Sequence, residues 1–272
     1  MDYKARKLTA WGIAALIAAG LSGPAEAAQC GNNSAGFPAW IDQFKKEAAS
    51  AGISQRTLDR AFKNVSYATK TISADRNQKS FKLSFEQFMQ KRGASSIISK
   101  GKRLKKQHAG LFAAIEKKYG VPAGPLIAIW GMESGFGAFT GNQHTMSAVA
   151  TLAYDCRRSA FFTEQLYAQL QLIERGWLSP DFKGAAHGEI GQTQFLPANV
   201  VRFGVNGDGS GGVNLGSAAD ALASTANFLR GHGWSRGGGY QPGQANFGAI
   251  QGWNAAGVYQ KAIATIGAEI DG

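Results

Sequence analysis

The sequence predicts a mainly helical protein that carries a small β or loop region. Apolar residues recur at helical spacing over residues 38–50, 54–63, 75–92 and 95–119, which places them on one face of each helix. Glycine is concentrated in the second half of the chain, where 27 of the 36 glycines lie in residues 119–272. Because glycine weakens helix interiors and favours turns, this half is expected to contain more loops than the first half.

The composition allows one or two folded domains. The chain has 272 residues and is 44% hydrophobic, which is enough to bury a core, and its 17% of charged residues is not typical of disorder. Residues 45–118 contain 18 Lys and Arg but 5 Asp and Glu. Residues 119–272 contain 8 Lys and Arg and 10 Asp and Glu. We therefore expect a Lys-rich N-terminal helical layer over 28–118 and a nearly neutral helical domain over 119–272.

The net charge of +11 is typical of a protein with a polyanionic partner. A nucleic acid is not favoured as that partner, because the nearly neutral second half lacks a basic groove. Within the N-terminal layer, a Lys-rich run occupies residues 100–106. It has two interpretations, a solvated helix face or an electrostatic contact with an anionic polymer.

Ser54 is the predicted N-cap of the second helix in this layer.

The first 27 residues have the parts of a secretory signal peptide. A basic start at residues 4–7 precedes an apolar stretch over residues 8–21, and Ala-Glu-Ala at residues 25–27 places small residues at the cleavage positions. A retained anchor is disfavoured because the apolar stretch is shorter than the ~20 residues of a spanning helix. Lipidation at Cys30 is disfavoured because Gln29 precedes it. We expect an exported protein that is soluble after cleavage.

The chain contains two cysteines, Cys30 and Cys156. In an oxidising compartment they either form a disulfide or remain buried thiols, and the sequence leaves both possibilities open. A bridge would attach the mature N-terminus to the body of the protein. Two cysteines without a neighbouring histidine do not form a structural zinc site.

A candidate catalytic carboxylate ends a very apolar helix. Pro-Ala-Gly-Pro at residues 122–125 predicts the start of this helix, which is largely apolar up to Met132 and therefore buried. Glu133 follows, and Gly135 and Gly137 stop the helix. Burial and the negative end of the helix dipole both raise the pKa of a carboxyl group, as a general acid requires. The alternative is a carboxylate that caps local backbone or pairs with an arginine.

Two further polar segments are candidates for ligand contacts. Arg157 and Arg158 lie in a short turn between predicted helices over 145–154 and 159–175. Adjacent arginines there either bind carboxylates through paired hydrogen bonds or anchor the turn itself. Residues 184–197 combine small residues with amide side chains, which suits close contact with a hydroxyl-rich ligand.

Residues 206–217 follow the plan of a calcium-binding loop in part. Oxygen-bearing side chains occupy positions 1, 3 and 5 of this loop, and glycine occupies position 6. Asn206 and Ser217 stand at positions 1 and 12, so the loop carries little negative charge. The segment is therefore either a structural calcium site or a Gly-rich turn, and no metal ligands are assigned.

Residues 129–137, Ile-Trp-Gly-Met-Glu-Ser-Gly-Phe-Gly, resemble the catalytic motif of the B-type lytic murein transglycosylases of bacteria. Further blocks match this family in the same order along the chain. They are Ala150–Tyr154 with Arg157–Phe162, Gly188 with Gly191–Pro197, Asp220–Leu229 with Gly233 and Trp234, and Trp253 and Asn254 with Tyr259. The resemblance extends over essentially residues 37–270, and its specificity comes from the order of the blocks rather than from any one of them.

The resemblance implies a lysozyme-like catalytic domain that acts on the glycan strands of peptidoglycan and requires no cofactor. It implies cleavage between N-acetylmuramic acid and N-acetylglucosamine, with a 1,6-anhydromuramoyl end as product. Glu133 matches the single catalytic acid and base of the family. The positions implied to bind substrate are Ser134, Arg157, Arg158, Gln194, Asn254 and Tyr259.

Two further positions bear on this resemblance, one that departs from the family and one that matches it. Glu189 stands where the family usually has a small residue, and a carboxylate that points into the cleft there would allow hydrolysis. Asp220 matches the last calcium ligand of the family. The alternative functions are a hydrolytic muramidase on the same fold and a non-catalytic peptidoglycan-binding protein, which the presence of Glu133 disfavours. The family and the leader together imply a monomer in the periplasm of a Gram-negative bacterium.

Overall fold

The computed structural model describes residues 28–77 and 83–272. The predicted signal peptide at residues 1–27 lies outside these residues. Within the two described stretches, no helix is both long enough and apolar enough to cross a membrane.

In the described part of the chain, the structure has thirteen α-helices and one sheet of two short strands, which confirms the mainly helical prediction. The first six helices are α1 (Phe37–Ser50), α2 (Gln55–Ala61), α3 (Thr69–Arg76), α4 (Phe85–Arg92), α5 (Ala94–Gln107) and α6 (Ala109–Tyr119). The remaining helices are α7 (Ala123–Ser134), α8 (Thr145–Tyr154), α9 (Ser159–Glu174), α10 (Pro197–Phe203), α11 (Ala218–Gly231), α12 (Phe247–Trp253) and α13 (Gly257–Asp271). The strands are β1 (Gln143–His144) and β2 (Lys183–Gly184), which pair antiparallel.

Two of the predicted helical stretches are divided in the structure. The stretch over 75–92 is wrong as a single helix, because α3 ends at Arg76 and α4 begins only after Ser84. Ser84 accepts the backbone N–H of Gln87 while its own N–H donates to the Gln87 side chain, and this capping box starts a new helix. The stretch over 95–119 is divided at His108, where α5 gives way to α6. The predicted N-cap at Ser54 is confirmed, since its side chain accepts the backbone N–H of Thr57.

Helix α7 lies at the centre of the molecule, where residues 123–132 are all buried. It packs closely against α13, and glycines make this approach possible. A Cβ atom added to Gly124 of α7 would collide with the backbone carbonyl of Gly267 in α13. The close packing matters for the site because it sets the last turn of α7 against the first turn of α13.

The N-terminal helices join the same hydrophobic core as the later ones. The rings of Phe37, Trp40 and Phe44 in α1 are buried, and the first two contact the ring of Tyr154 at the end of α8. The division into a layer over 28–118 and a catalytic domain over 119–272 stays a prediction. In the Lys-rich run, Lys100 and Lys102 are exposed, while Lys105 binds Asp271 at the end of α13, with 3.2 Å between Nζ and Oδ1.

Cys30 and Cys156 form a disulfide, with 4.9 Å between their Cα atoms. The bond fastens the beginning of the described chain to the turn between α8 and α9. A short parallel bridge between Gly31 and Asp155 runs beside it. The disulfide resolves the alternative that the sequence leaves open and holds the turn that carries Arg157 and Arg158.

Candidate active site

Glu133 lies in the last turn of α7, at the side of an open cleft. Gly135 ends the helix with φ of 60°, a left-handed conformation that suits glycine. The cleft has a volume of about 300 Å³. We call it the Glu133 cleft, and it is lined by Glu133, Arg158, Phe162, His187, Glu189, Gln194, Phe195, Leu196, Asn199, Phe228, Trp253 and Asn254.

Two side chains from distant helices hold the Glu133 carboxyl group. The Tyr259 hydroxyl donates to Glu133 Oε1 at 2.6 Å, and the Trp253 indole N–H donates to the same oxygen at 3.0 Å. The indole packs edge-on against the rings of Phe195 and Phe228, with centroids 5.3 and 5.1 Å away. Because both donors occupy Oε1, the other carboxyl oxygen is the one that can carry a proton.

The surroundings of Glu133 raise the pKa of its carboxyl group. Burial raises its pKa, the hydrogen bonds from Tyr259 and Trp253 and the charge of Arg92 lower it, and the charge of Glu189 raises it. The net result is a pKa above the ordinary value for a glutamate. A carboxylic acid of this kind keeps its proton to higher pH than a solvated one and can donate it to a bound ligand.

Replacing Tyr259 with phenylalanine removes a hydrogen bond to Glu133 and leaves the ring in place. That bond lowers the pKa of Glu133, so its loss raises this pKa further. We expect the alkaline limb of the pH–rate profile to move to higher pH. We also expect kcat to fall by about tenfold to a hundredfold, because the carboxylate formed after proton transfer is less stabilised. The measurement is release of soluble fragments, as a function of pH, from sacculi of peptidoglycan, the substrate that the resemblance implies.

The matched control for this variant is Tyr240→Phe. The Tyr240 hydroxyl donates to Asp271 Oδ2 at 2.8 Å, a similar bond at the other end of α13 and outside the Glu133 cleft. The control is expected to leave the pH–rate profile in place. An unchanged profile in Tyr259→Phe would contradict the positioning role of Tyr259.

Glu189 lines the same cleft as Glu133. Its Oε2 accepts the backbone N–H of His187 at 2.9 Å, and its Oε1 lies 3.3 Å from Nδ1 of the His187 ring. Burial raises the pKa of Glu189, but the hydrogen bonds and charge of His187 lower it by more, so its pKa lies below the ordinary value. The cleft therefore contains one carboxyl group that favours the neutral form and one that favours the anion.

A charged cluster lies next to Glu189. Asp75, near the end of α3, is 3% exposed and forms ion pairs with Arg157 and Arg158. Burial raises the pKa of Asp75, and the two arginines lower it to a value below the ordinary one. Nε2 of His187 lies 3.6 Å from Asp75 Oδ1. The imidazole ring of His187 therefore lies between two carboxylates, Asp75 and Glu189.

The structure places the six predicted substrate-binding residues in two groups. Arg158, Gln194 and Asn254 line the Glu133 cleft. Gln194 has φ of 54°, a conformation that a non-glycine residue rarely adopts and that is often found at functional sites. Its side-chain nitrogen donates to the carbonyl of Gly191 at 2.7 Å, so its carbonyl oxygen is the atom that it offers as an acceptor.

Ser134, Arg157 and Tyr259 do not line the cleft. Ser134 is buried, and its hydroxyl donates to the carbonyl of Gln192 and accepts the N–H of Gly137 at 2.8 Å. Tyr259 is 3% exposed. The predicted substrate contacts of these three residues stay predictions. Their side chains bind Gln192, Asp75 and Glu133 in turn, and so they position residues in or next to the cleft.

Sequence reasoning missed three contributors to the site. Trp253 belongs to a block that resembles the family, but nothing in the sequence predicts that its indole N–H donates to Glu133. Asp75 carries no local signal. His187 lies within the segment 184–197 that is predicted to contact a ligand, but its two carboxylate neighbours are brought to it only by folding.

The carboxylates in and next to the loop over residues 206–217 accept hydrogen bonds from the backbone of that loop. Both carboxylate oxygens of Asp220 accept backbone N–H groups, from Gly207 and Asn214, each at 2.7 Å. Asp208 Oδ1 accepts the N–H of Ser210 at 2.9 Å. Among the described residues, no group of three or more His, Cys, Asp and Glu side chains is arranged to hold a metal ion. The donor set therefore does not fit a calcium site as charged as the EF-hand loop.

A helical body with a small two-stranded region, and a buried carboxyl group with a raised pKa at the side of an open cleft, are typical of lysozyme-like proteins. Residues 36–243 match the family model of the transglycosylase SLT domain, and the chain belongs to this family. It is 33% identical over 121 residues to membrane-bound lytic murein transglycosylase B of Escherichia coli strain K12. This match covers 44% of the chain and 34% of that protein, so the matched part spans about a third of the length of the curated relative.

Solved structures of related proteins have the same fold. SltB3 from Pseudomonas aeruginosa, in complex with NAG-anhNAM-pentapeptide, aligns with a TM-score of 0.81 at 28% identity, over 87% of this chain and 80% of that one. The lytic transglycosylase Slt35 of Escherichia coli, in complex with calcium, aligns with a TM-score of 0.75 at 21% identity. That alignment covers 90% of this chain and 96% of Slt35, and at this identity it supports the fold alone.

Proposed function

We propose that this protein is a lytic murein transglycosylase that cleaves the bond between N-acetylmuramic acid and N-acetylglucosamine and leaves 1,6-anhydromuramoyl ends. The observation that carries this proposal is the buried Glu133 carboxyl group, whose pKa is raised and which two donors hold at one oxygen inside the cleft of an SLT-family protein. Support for the substrate comes from SltB3, which is 28% identical and was solved with NAG-NAM-pentapeptide and with NAG-anhNAM-pentapeptide.

In the proposed reaction, Glu133 acts first as an acid. It gives its proton to the glycosidic oxygen, the bond from that oxygen to C1 of the muramoyl residue breaks, and positive charge develops at C1. The hydrogen bonds from Tyr259 and Trp253 stabilise the carboxylate that Glu133 has now become. They therefore support the state of Glu133 that follows proton transfer.

Glu133 then acts as a base. Its carboxylate takes the proton of the muramoyl C6 hydroxyl, and the C6 oxygen forms a bond to C1 to close the anhydro ring. The acid is regenerated and no water is consumed. One carboxyl group is sufficient for these two reaction steps because the nucleophile belongs to the substrate. Most glycoside hydrolases use two carboxyl groups.

The residues that line the cleft are proposed to bind the sugar and its substituents. Gln194 and Asn254 offer amide groups to hydroxyl and N-acetyl groups, and Arg158 offers a guanidinium group to a muramoyl or peptide carboxylate. Arg157 and Ser134 hold these elements in place through Asp75 and Gln192.

We further propose that the protein works in the periplasm as a monomer, after removal of residues 1–27. The disulfide supports this location, since such bonds persist in oxidising compartments. The partner is the peptidoglycan strand and not a nucleic acid. The excess of basic residues over 45–118 would then concentrate the enzyme on an anionic sacculus.

Digestion of purified sacculi followed by mass spectrometry tests the proposed function. We expect muropeptides with anhydromuramoyl ends, each lighter by one water than the corresponding hydrolysis product. Failure to release any fragment would contradict an enzymatic role. Fragments with reducing ends alone would contradict the transglycosylase assignment.

A further inference from the structure

We propose that Glu189 is a second catalytic carboxylate in the Glu133 cleft and that it directs part of the reaction to water, so that the protein has a hydrolytic muramidase activity beside the transglycosylase activity. This inference depends on the proposed function, because both activities would share the first step at Glu133. It adds a product and a residue that the single-carboxylate mechanism lacks.

The first support is position. Glu133 lies in the last turn of α7 and Glu189 lies in the loop after β2, yet both line one cleft of about 300 Å³. They are close enough for the charge of Glu189 to raise the pKa of Glu133. The Glu189 side chain is 23% exposed, so water from the cleft reaches it.

The second support is the way in which Glu189 is held. Its two oxygens receive the backbone N–H and the ring of His187, at 2.9 and 3.3 Å, and the far side of that ring faces Asp75. A carboxylate oxygen has two lone pairs, so each oxygen of Glu189 keeps capacity for a proton or a water molecule. Asp75 is fixed in turn by Arg157 and Arg158, and the whole arrangement orients Glu189 before substrate arrives.

The third support is chemical. The two carboxyl groups have opposite environments, since the pKa of Glu133 is raised and the pKa of Glu189 is lowered. Two carboxyl groups whose pKa values are separated in this way are the acid and base pair that glycoside hydrolases use. Glu189 as an anion also stabilises the positive charge that develops at C1.

Hydrolysis begins with the same proton transfer from Glu133 as the transglycosylase reaction. Glu133 gives its proton to the glycosidic oxygen, the bond to C1 breaks, and the departing N-acetylglucosamine keeps that proton. A water oxygen then bonds to C1 while one of the water protons passes to the Glu189 carboxylate. Glu189 releases this proton to solvent and Glu133 takes one up, so the net reaction consumes one water and leaves a reducing muramoyl end.

The test is a digest of purified sacculi in ¹⁸O-labelled water with the mature protein. Mass spectrometry separates anhydromuramoyl products, which contain no label, from reducing products, which carry one labelled oxygen. We expect both products from the wild type. In Glu189→Gln we expect the labelled share to fall at least tenfold while anhydromuramoyl products continue to form.

Glu164→Gln is the matched control, because Glu164 is an exposed carboxylate of α9 outside the cleft. It is expected to leave the product ratio unchanged. Glu189→Ala is a second variant, and thermal unfolding of both Glu189 variants shows whether they fold. A tenfold fall in the labelled share of either folded variant, against an unchanged control, supports the inference.

The outcomes distinguish this inference from the proposed function. Wild-type digests that contain anhydromuramoyl products and no labelled product would overturn the role of Glu189 and leave the transglycosylase intact. The same role is overturned if both folded Glu189 variants keep the wild-type ratio. Digests with labelled products alone would overturn the transglycosylase assignment, and loss of label in the Glu189 variants would still support a hydrolytic carboxylate.

Discussion

Replacing Glu133 with glutamine is expected to reduce turnover on sacculi by about a thousandfold or more, because the substituted amide neither donates a proton to the glycosidic oxygen nor removes one from the C6 hydroxyl. Binding is expected to survive. The amide oxygen of glutamine can still accept the hydrogen bonds that Tyr259 and Trp253 now donate to Glu133 Oε1. The cleft therefore keeps its shape.

Two measurements check this prediction side by side. Release of soluble muropeptides measures turnover, and co-sedimentation with sacculi measures binding. Glu269→Gln is the control, since Glu269 is an exposed carboxylate of α13 away from the cleft. Turnover at the wild-type rate in Glu133→Gln would refute the assignment of Glu133. Loss of binding together with turnover would indicate that the cleft had collapsed.

Replacing both Cys30 and Cys156 with serine is expected to lower the free energy of unfolding by about 2–5 kcal/mol. The disulfide closes a loop between residues 126 positions apart, so its removal restores much conformational freedom to the unfolded chain. For a protein of this size, the expected fall in Tm is roughly 5–15 °C. Thermal unfolding with and without a reducing agent measures it.

The double serine variant supplies its own control. Reducing agent is expected to lower the Tm of the wild type toward that of the variant and to leave the variant unchanged. A variant with the wild-type Tm would show that the bond adds no stability. We also expect lower activity near the Tm of the variant, because the bond holds the turn that carries Arg157 and Arg158.

The position of Glu133 near the end of a buried helix could be predicted because that signal is local, whereas its role as the catalytic acid was implied by the resemblance. An apolar run up to Met132 predicts a buried helix, and Gly135 and Gly137 place its end next to the carboxylate. The helical fold was predictable for the same reason, since periodicity within each stretch reports which face is buried. The divisions at His108 and between Arg76 and Phe85 were missed, because the apolar pattern continues across them.

The partners of the site could not be predicted in the same way. The resemblance implies that Tyr259 contacts sugar, which stays a prediction, but nothing in the sequence predicts that its hydroxyl donates to Glu133, 126 residues earlier in the chain. The sequence left open whether Arg157 and Arg158 bind a ligand or anchor their turn. In the structure both bind Asp75, more than 80 residues away, and Arg158 also lines the cleft.

Local sequence was thus enough to determine the helical class and the buried helix that carries Glu133 in its last turn. These properties depend on side-chain spacing and helix termination, which act over a few residues. The pKa of Glu133, the anionic character of Glu189 and the position of Asp75 were decided only by tertiary structure. Burial and electrostatic interaction depend on distance in space, and the elements α3, α7, α13 and the loop after β2 meet only in the folded protein.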